Sequence, residues 1–221
     1  MKASEVNMDK IHFQDPKILD NGGKMVFLSY DDKTLLVQTP IMKLPWNMKK
    51  DEYDGNVKYT LDLQFQNTDN NPEIKDFHNL LEDFDEKLIE MGVNNSMSWF
   101  KKKNIKKDVC KELINSHIIR SRDKETGEVD GKWPDRIKVK IPNRNGVFVS
   151  KVIDVDKNIV EDSEYENKLV KGCEVRAILE YGGVWLAGSK YGGTWKVKAL
   201  EIISSPSNDS LSFLDSSDDD E

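Results

Sequence analysis

The chain has 221 residues, 37% of them hydrophobic and 33% charged, with a formal net charge of −7. That length suits one large domain with appendages, and that balance excludes a fibre or a membrane protein, since no segment approaches the roughly 18 apolar residues of a membrane span. The opening "MKASEVNMDKIHFQD" lacks the apolar run of a signal peptide, so the protein is expected to stay where it is made.

"KMVFLSY" (24–30) and "KTLLVQTP" (33–40) are β-rich runs, and Asp31-Asp32 between them reads as a tight hairpin without the preferred glycine. In "NVKYTLDLQF" Val57, Tyr59, Leu61, Leu63 and Phe65 alternate with Lys58, Thr60, Asp62 and Gln64, the period of a half-buried strand. The period then changes. Ile74, Phe77, Leu81, Phe84 and Leu88 recur at three and four, with Asn71 placed to cap, Pro72 at the first helical position and Gly92 closing the helix. A shorter helix is expected over about 106–116, with Val109 and Leu113 on its apolar face.

"SHIIRSRD" and "DRIKVKIP" read as strands flanking "KETGEVDGKWP", whose glycines and Pro134 mark a turn or long hairpin loop. In the second of these Ile137, Val139 and Ile141 point one way and Arg136, Lys138 and Lys140 the other, which gives the strand a basic face. "GVFVSKVIDV", "CEVRAILEY" and the closing "TWKVKALEI" supply further strands. Without regular alternation of strand and helix, the chain reads as mainly β (α+β): a partly open antiparallel barrel of the OB type, with one long amphipathic helix and a shorter one. A β-sandwich is the alternative. Residues 1–203 form this domain, and 204–221 read as a disordered acidic tail with a small apolar hook.

Charge is distributed unevenly. Residues 95–140 hold 13 Lys or Arg against 7 Asp or Glu, whereas from residue 203 onward there are six acids and no Lys or Arg. A basic middle and an acidic end point to a polyanionic partner. Cys110 and Cys173 lie far apart without CxxC spacing, which suggests a reducing compartment and two buried thiols.

Enzyme motifs are missing: there is no P-loop, HExxH or GxSxG, and His12, His78 and His117 are scattered, so each reads as an ordinary surface or core histidine. Asp154, Asp156 and Asn158 imitate the start of a calcium loop, but Ile159 and Tyr165 stand where its glycine and glutamate belong. No cofactor or metal is expected. "SWFKKKNIKK" (98–107) sets Trp99 and Phe100 beside Lys101, Lys102, Lys103 and Lys106. Rings that stack on unpaired bases beside lysines that neutralise phosphates are what single-stranded nucleic acid binding requires. The competing reading makes the two rings a core plug and the lysines a solvated face. Two Tyr-Gly-Gly units, at 181–183 and 191–193, allow bends or bulges and bring Tyr181, Trp185, Tyr191 and Trp195 together. By alternation Trp195 belongs to the core, with Lys196 and Lys198 opposite, which leaves Tyr191 and Trp185 as the better stacking rings.

"SWFKKK", "DKETGE", "WPDRIKVKIP", "VWLAGSKYGGTWKVKALEI" and the acidic end together resemble the single-stranded DNA-binding proteins of large nucleo-cytoplasmic DNA viruses, a family similar to the replication SSB of short-tailed coliphages. The resemblance covers most of residues 25–202. It implies a non-enzymatic OB-fold protein that coats single-stranded DNA in viral replication, recombination and repair. It implies also a homodimer located in the host cytoplasm at viral replication factories, or packaged in the virion. The groove would be lined by Trp99 to Lys103, Arg136, Lys138, Lys140, Lys196 and Lys198. The tail, with Phe213, Leu214, Asp215, Asp218, Asp219, Asp220 and Glu221, would contact replication proteins (polymerase, primase-helicase) and compete with DNA. One departure stands out: the phage-type tail ends in an aromatic residue, whereas Phe213 lies eight residues before the end. The rival functions are a protein-interaction adaptor working through the Phe-Leu tail, and a magnesium nuclease built on Asp62, Asp154 and Asp156.

Overall fold

The computed structural model describes residues 1–20, 22–53 and 55–206. Its first part is strand-rich: β1 (Ile11–Phe13), β2 (Lys17–Ile18), β3 (Lys24–Val26), β4 (Leu28–Tyr30), β5 (Leu36–Gln38), β6 (Met42–Lys43), β7 (Lys49–Tyr53) and β8 (Asn56–Gln64). Helices α1 (Pro72–Asn94), α2 (Ser96–Phe100) and α3 (Lys107–Leu113) follow. Then come β9 (Ile114–Asn115), β10 (Ile118–Ile119), β11 (Arg136–Ile141), β12 (Asn143–Arg144), β13 (Val147–Phe148) and β14 (Lys151–Ile153). The short helix α4 (Tyr165–Lys168) precedes the two longest strands, β15 (Glu174–Ala187) and β16 (Lys190–Ser204).

The pairings close a circuit. β16 pairs with β11, β11 with β8, β8 with β6 at Gln64 and Lys43, β6 with β15 at Met42 and Val175, and β15 returns to β16. Most of these ladders are antiparallel, as expected, but β9, β11 and β14 each meet β16 in parallel. Each of those three strands reaches β16 through a connection of many residues, and such length is what parallel pairing needs.

Local sequence explains the joints. Asp31 and Asp32 do turn the chain tightly, both at positive φ (47° and 60°), while Tyr30 and Lys33 exchange backbone hydrogen bonds of 2.8 and 3.0 Å. Aspartate tolerates that left-handed conformation better than most side chains. The strands then diverge, β4 to β1 and β5 to β15, so no extended hairpin forms. Between β15 and β16 the loop is Gly188-Ser189, with Gly188 at φ 60° in the first central position of a primed turn.

Helix α1 starts where Asn71 accepts hydrogen bonds from the N–H groups of Glu73 and Ile74. Its predicted stripe is buried, and Phe84 stacks on Tyr181 at 5.1 Å and meets Trp195 edge-on at 5.4 Å. Gly92 does not end the helix, which runs on to Asn94. A Cβ at Gly92 would stand 3.2 Å from the Tyr191 hydroxyl, so the glycine permits close packing instead. Helix α2 was not anticipated; it closes at Lys101, which takes a left-handed conformation at φ 56°. In α3 Cys110 is buried and Leu113 packs against the core as expected, while Val109 is exposed. Both thiols are buried and free. No helix of the described residues is long and apolar enough to cross a membrane.

Candidate nucleic-acid interface

Alternation along β11 separates two kinds of side chain: Ile137, Val139 and Ile141 enter the core, while Arg136, Lys138 and Lys140 face away from it. Across the ladder stand Gln64, Asp62 and Thr60 of β8, and Lys196 of β16 lies in register beside Lys140. Paired residues share a face, so four cations line one strip. Arg136 is held by Asp62, at 3.3 Å. For Lys138, Lys140 and Lys196 no carboxylate among the described residues lies within 4.0 Å. Shielding by the protein, and then the ammonium groups of Lys196 and Lys58, push Lys140 below the ordinary lysine range. An anion placed beside Lys140 would favour its charged form. Gly182 contributes by being small: a Cβ there would stand 2.7 Å from Cε of Lys196.

Clefts open along this strip. β8 occupies one edge of β11 for its whole length, so β10 and β16 must share the other, at its beginning and its end. Where they part, a cleft of about 550 Å³ is lined by His117, Arg120, Arg122, Lys138, Lys140 and Trp185. At the Arg136 end a second, of about 540 Å³, is lined by Lys43, Trp46, Gln64, Trp133, Arg136 and Lys171. At the other end a smaller one, of about 210 Å³, includes Lys58, Tyr59, Lys140 and Lys196.

The chain shares its fold with a phage protein. That protein is gp2.5, a single-stranded DNA binding protein encoded by bacteriophage T7, matched at a TM-score of 0.50 and 10% identity over 81% of this chain and 97% of that one. The single-stranded DNA-binding protein from bacteriophage Enc34, in complex with ssDNA, is similar at 0.47 and 12% identity over 87% and 96%. No family model and no curated protein matches the chain. The likeness thus falls on the phage side of the expected resemblance, and no finding assigns the chain to the proteins of large nucleo-cytoplasmic DNA viruses.

The structure sorts the expected site residues into three groups. Lys138, Lys140, Lys196 and Arg136 come together on the strip, and half-buried Trp185 lines the central cleft. Lys101, Lys102, Lys103 and Lys106 are exposed but line none of these three clefts, and Lys198 sits 3.4 Å from Glu180. Trp99, Phe100, Tyr181 and Tyr191 are core side chains. Tyr191 is wholly buried, with Trp99 and Phe100 against it at 5.8 and 5.2 Å and its hydroxyl donating to the Cys110 carbonyl. Tyr181 lies against Phe84 and Trp195. These four rings are packed against other core rings, so they are corrected from stacking platforms to packing. Trp195 is core, as alternation indicated. The tail residues Phe213, Leu214, Asp215, Asp218, Asp219, Asp220 and Glu221 lie outside the described residues.

Trp46 and Trp133, at 46% and 66% exposure, went unread in the sequence. Each stands beside a proline, Pro45 and Pro134, and a large ring next to a turn-forming proline was the available signal. Asp62, on the polar side of the β8 alternation, is not exposed. Its carboxylate is buried and accepts from Trp46 Nε1 at 2.8 Å, Lys49 Nζ at 3.3 Å and Arg136 Nε at 3.3 Å. Asp154 caps its own turn by accepting from the backbone N–H groups of Asp156 and Asn158. Among the described residues no group of three or more His, Cys, Asp or Glu is placed to hold a metal.

Proposed function

We propose that the chain binds single-stranded DNA without sequence preference, as a binding protein rather than an enzyme, along the strip of Arg136, Lys138, Lys140 and Lys196. The observation that carries this reading is the crowding of three cations, without a carboxylate partner among the described residues, on one face of β11 and β16. Exposed indole rings beside the strip supply what unpaired bases need and duplex DNA does not use. The shared fold supports the reading, since gp2.5 is named a single-stranded DNA binding protein, and a closed strand circuit is what an OB-type barrel would require. A nuclease site finds no support: Asp62 serves Trp46, Lys49 and Arg136, and Asp154 serves its own turn.

Within this proposal the protein acts in phage or viral DNA replication, recombination and repair, as a homodimer. Its acidic segment 204–221 contacts replication proteins and occupies the strip when DNA is absent. The test is fluorescence anisotropy with oligo-dT, duplex DNA and single-stranded RNA over a salt series, with and without residues 204–221. Affinity for oligo-dT should fall by about three log units per log unit of salt, at about 0.7 for each of four neutralised phosphates. The shortened chain should bind more tightly. Duplex bound as well as oligo-dT, RNA preferred over DNA, or a flat salt series would overturn the proposal.

Lys140 gives a second expected result. Because its charged form is disfavoured, affinity should decline with rising pH below the range where an ordinary lysine loses its proton. Lys140→Arg, whose guanidinium keeps its charge, should remove that decline. A pH titration of oligo-dT binding that is identical for the two proteins would reject the assignment.

A further inference from the structure

We infer that the cleft between Trp46 and Trp133 is a base-stacking subsite that takes one nucleobase of the bound strand; this rests on the single-stranded DNA reading. Two large exposed rings line one recess, a costly arrangement for a free surface and a useful one for a planar ligand. The cleft's charged residues are all cations, Lys43, Arg136 and Lys171, so it suits an aromatic group that carries phosphate on its flanks. Arg136 begins the strip, and the cleft therefore continues the proposed DNA path at one end.

Trp46 is held in advance. Its indole N–H donates to Asp62, whose side chain is 1% exposed, and the Lys49 ammonium lies 5.5 Å from its ring centroid. Asp62 is itself fixed from β11 by Arg136. A ring restrained in this way loses little freedom when a base settles on it, so more of the stacking energy appears as affinity. The buried rings Trp99, Phe100, Tyr181 and Tyr191 offer no comparable platform.

The experiment compares Trp46→Ala and Trp133→Ala with the unaltered chain in oligo-dT anisotropy over the same salt series, and maps photocrosslinks from a strand carrying 5-bromouridine. Stacking is worth about 1–3 kcal/mol per base, so each variant should lose about fivefold or more in affinity. The salt slope should stay as it was, because no cation is removed. Crosslinks on Trp46 or Trp133 are expected in the unaltered protein, a readout that needs no variant to fold. Unchanged affinity in both variants, or crosslinks confined to Trp185, would overturn the subsite while leaving DNA binding along the strip intact. If the unaltered protein binds no oligo-dT, the functional proposal itself fails.

Discussion

Gly193→Ala is expected to lower the melting temperature by about 10 °C, corresponding to about 3 kcal/mol in a domain of this size. The reason lies in what occupies the space beside its Cα. An added Cβ would overlap His117 Nε2 and stand 2.5 Å from the Tyr181 hydroxyl. Neither neighbour is free to retreat. His117 is tied to Asp85 of α1 through its backbone N–H and through Nδ1, at 2.5 Å, and the same carboxylate accepts from the Ser116 hydroxyl. Tyr181 is held by Phe84 and Trp195, and burial, with the Asp85 carboxylate second, pushes its hydroxyl well above the ordinary tyrosine range and keeps it protonated. Removing the obstructing imidazole should recover part of the loss, so His117→Ala and Gly193→Ala together should cost less than the sum of each alone. Thermal denaturation of the four proteins measures this, and an unchanged melting temperature for Gly193→Ala would refute the packing argument.

The doubled Tyr-Gly-Gly motif shows how far the sequence reaches. A bend or bulge was legible in it, and the register does shift between Tyr181 and Val184, where Gly182 and Gly183 oppose Thr194 alone. Its use was not legible. Gly183 lies at φ 105°, and a Cβ there would stand 2.9 Å from the Val26 carbonyl on the neighbouring strand, a relation set by a partner more than 150 residues earlier in the chain. Periodicity identified β8, α1 and β11 because each pattern is local. The parallel pairings with β16 have no local signature, since any strand-forming run suits either direction. Aromatic residues beside lysines were equally ambiguous: "SWFKKK" describes a core plug with a solvated flank as well as it describes a stacking platform, and only burial distinguishes them. Alternation puts Asp62 on the polar face of β8, yet Trp46 and Lys49 arrive from the segment after β6 and cover it.

Lys138→Gln, Lys140→Gln and Lys196→Gln combined should weaken oligo-dT binding about a hundredfold or more and lower the salt slope by about two units, since three phosphates lose their counter-charge. Folding should not suffer. Among the described residues the three ammonium groups have no carboxylate partner, and Lys140 is disfavoured in its charged form first by shielding from solvent and then by Lys196 and Lys58, so their removal breaks no ion pair there and relieves both. The melting temperature is therefore expected to hold or rise while binding falls, the opposition that marks charge kept for function at the expense of stability. The matched control is Lys101→Gln, Lys102→Gln and Lys103→Gln combined, which changes net charge equally. Those lysines are exposed, lie outside the three clefts and follow buried rings, so their effect should be limited to screened attraction over about a Debye length. The two triple variants thus separate two origins of affinity that share one composition. Should the loss follow Lys101 to Lys103 instead, the strand runs past α2, and the strip on β11 and β16 is not its path.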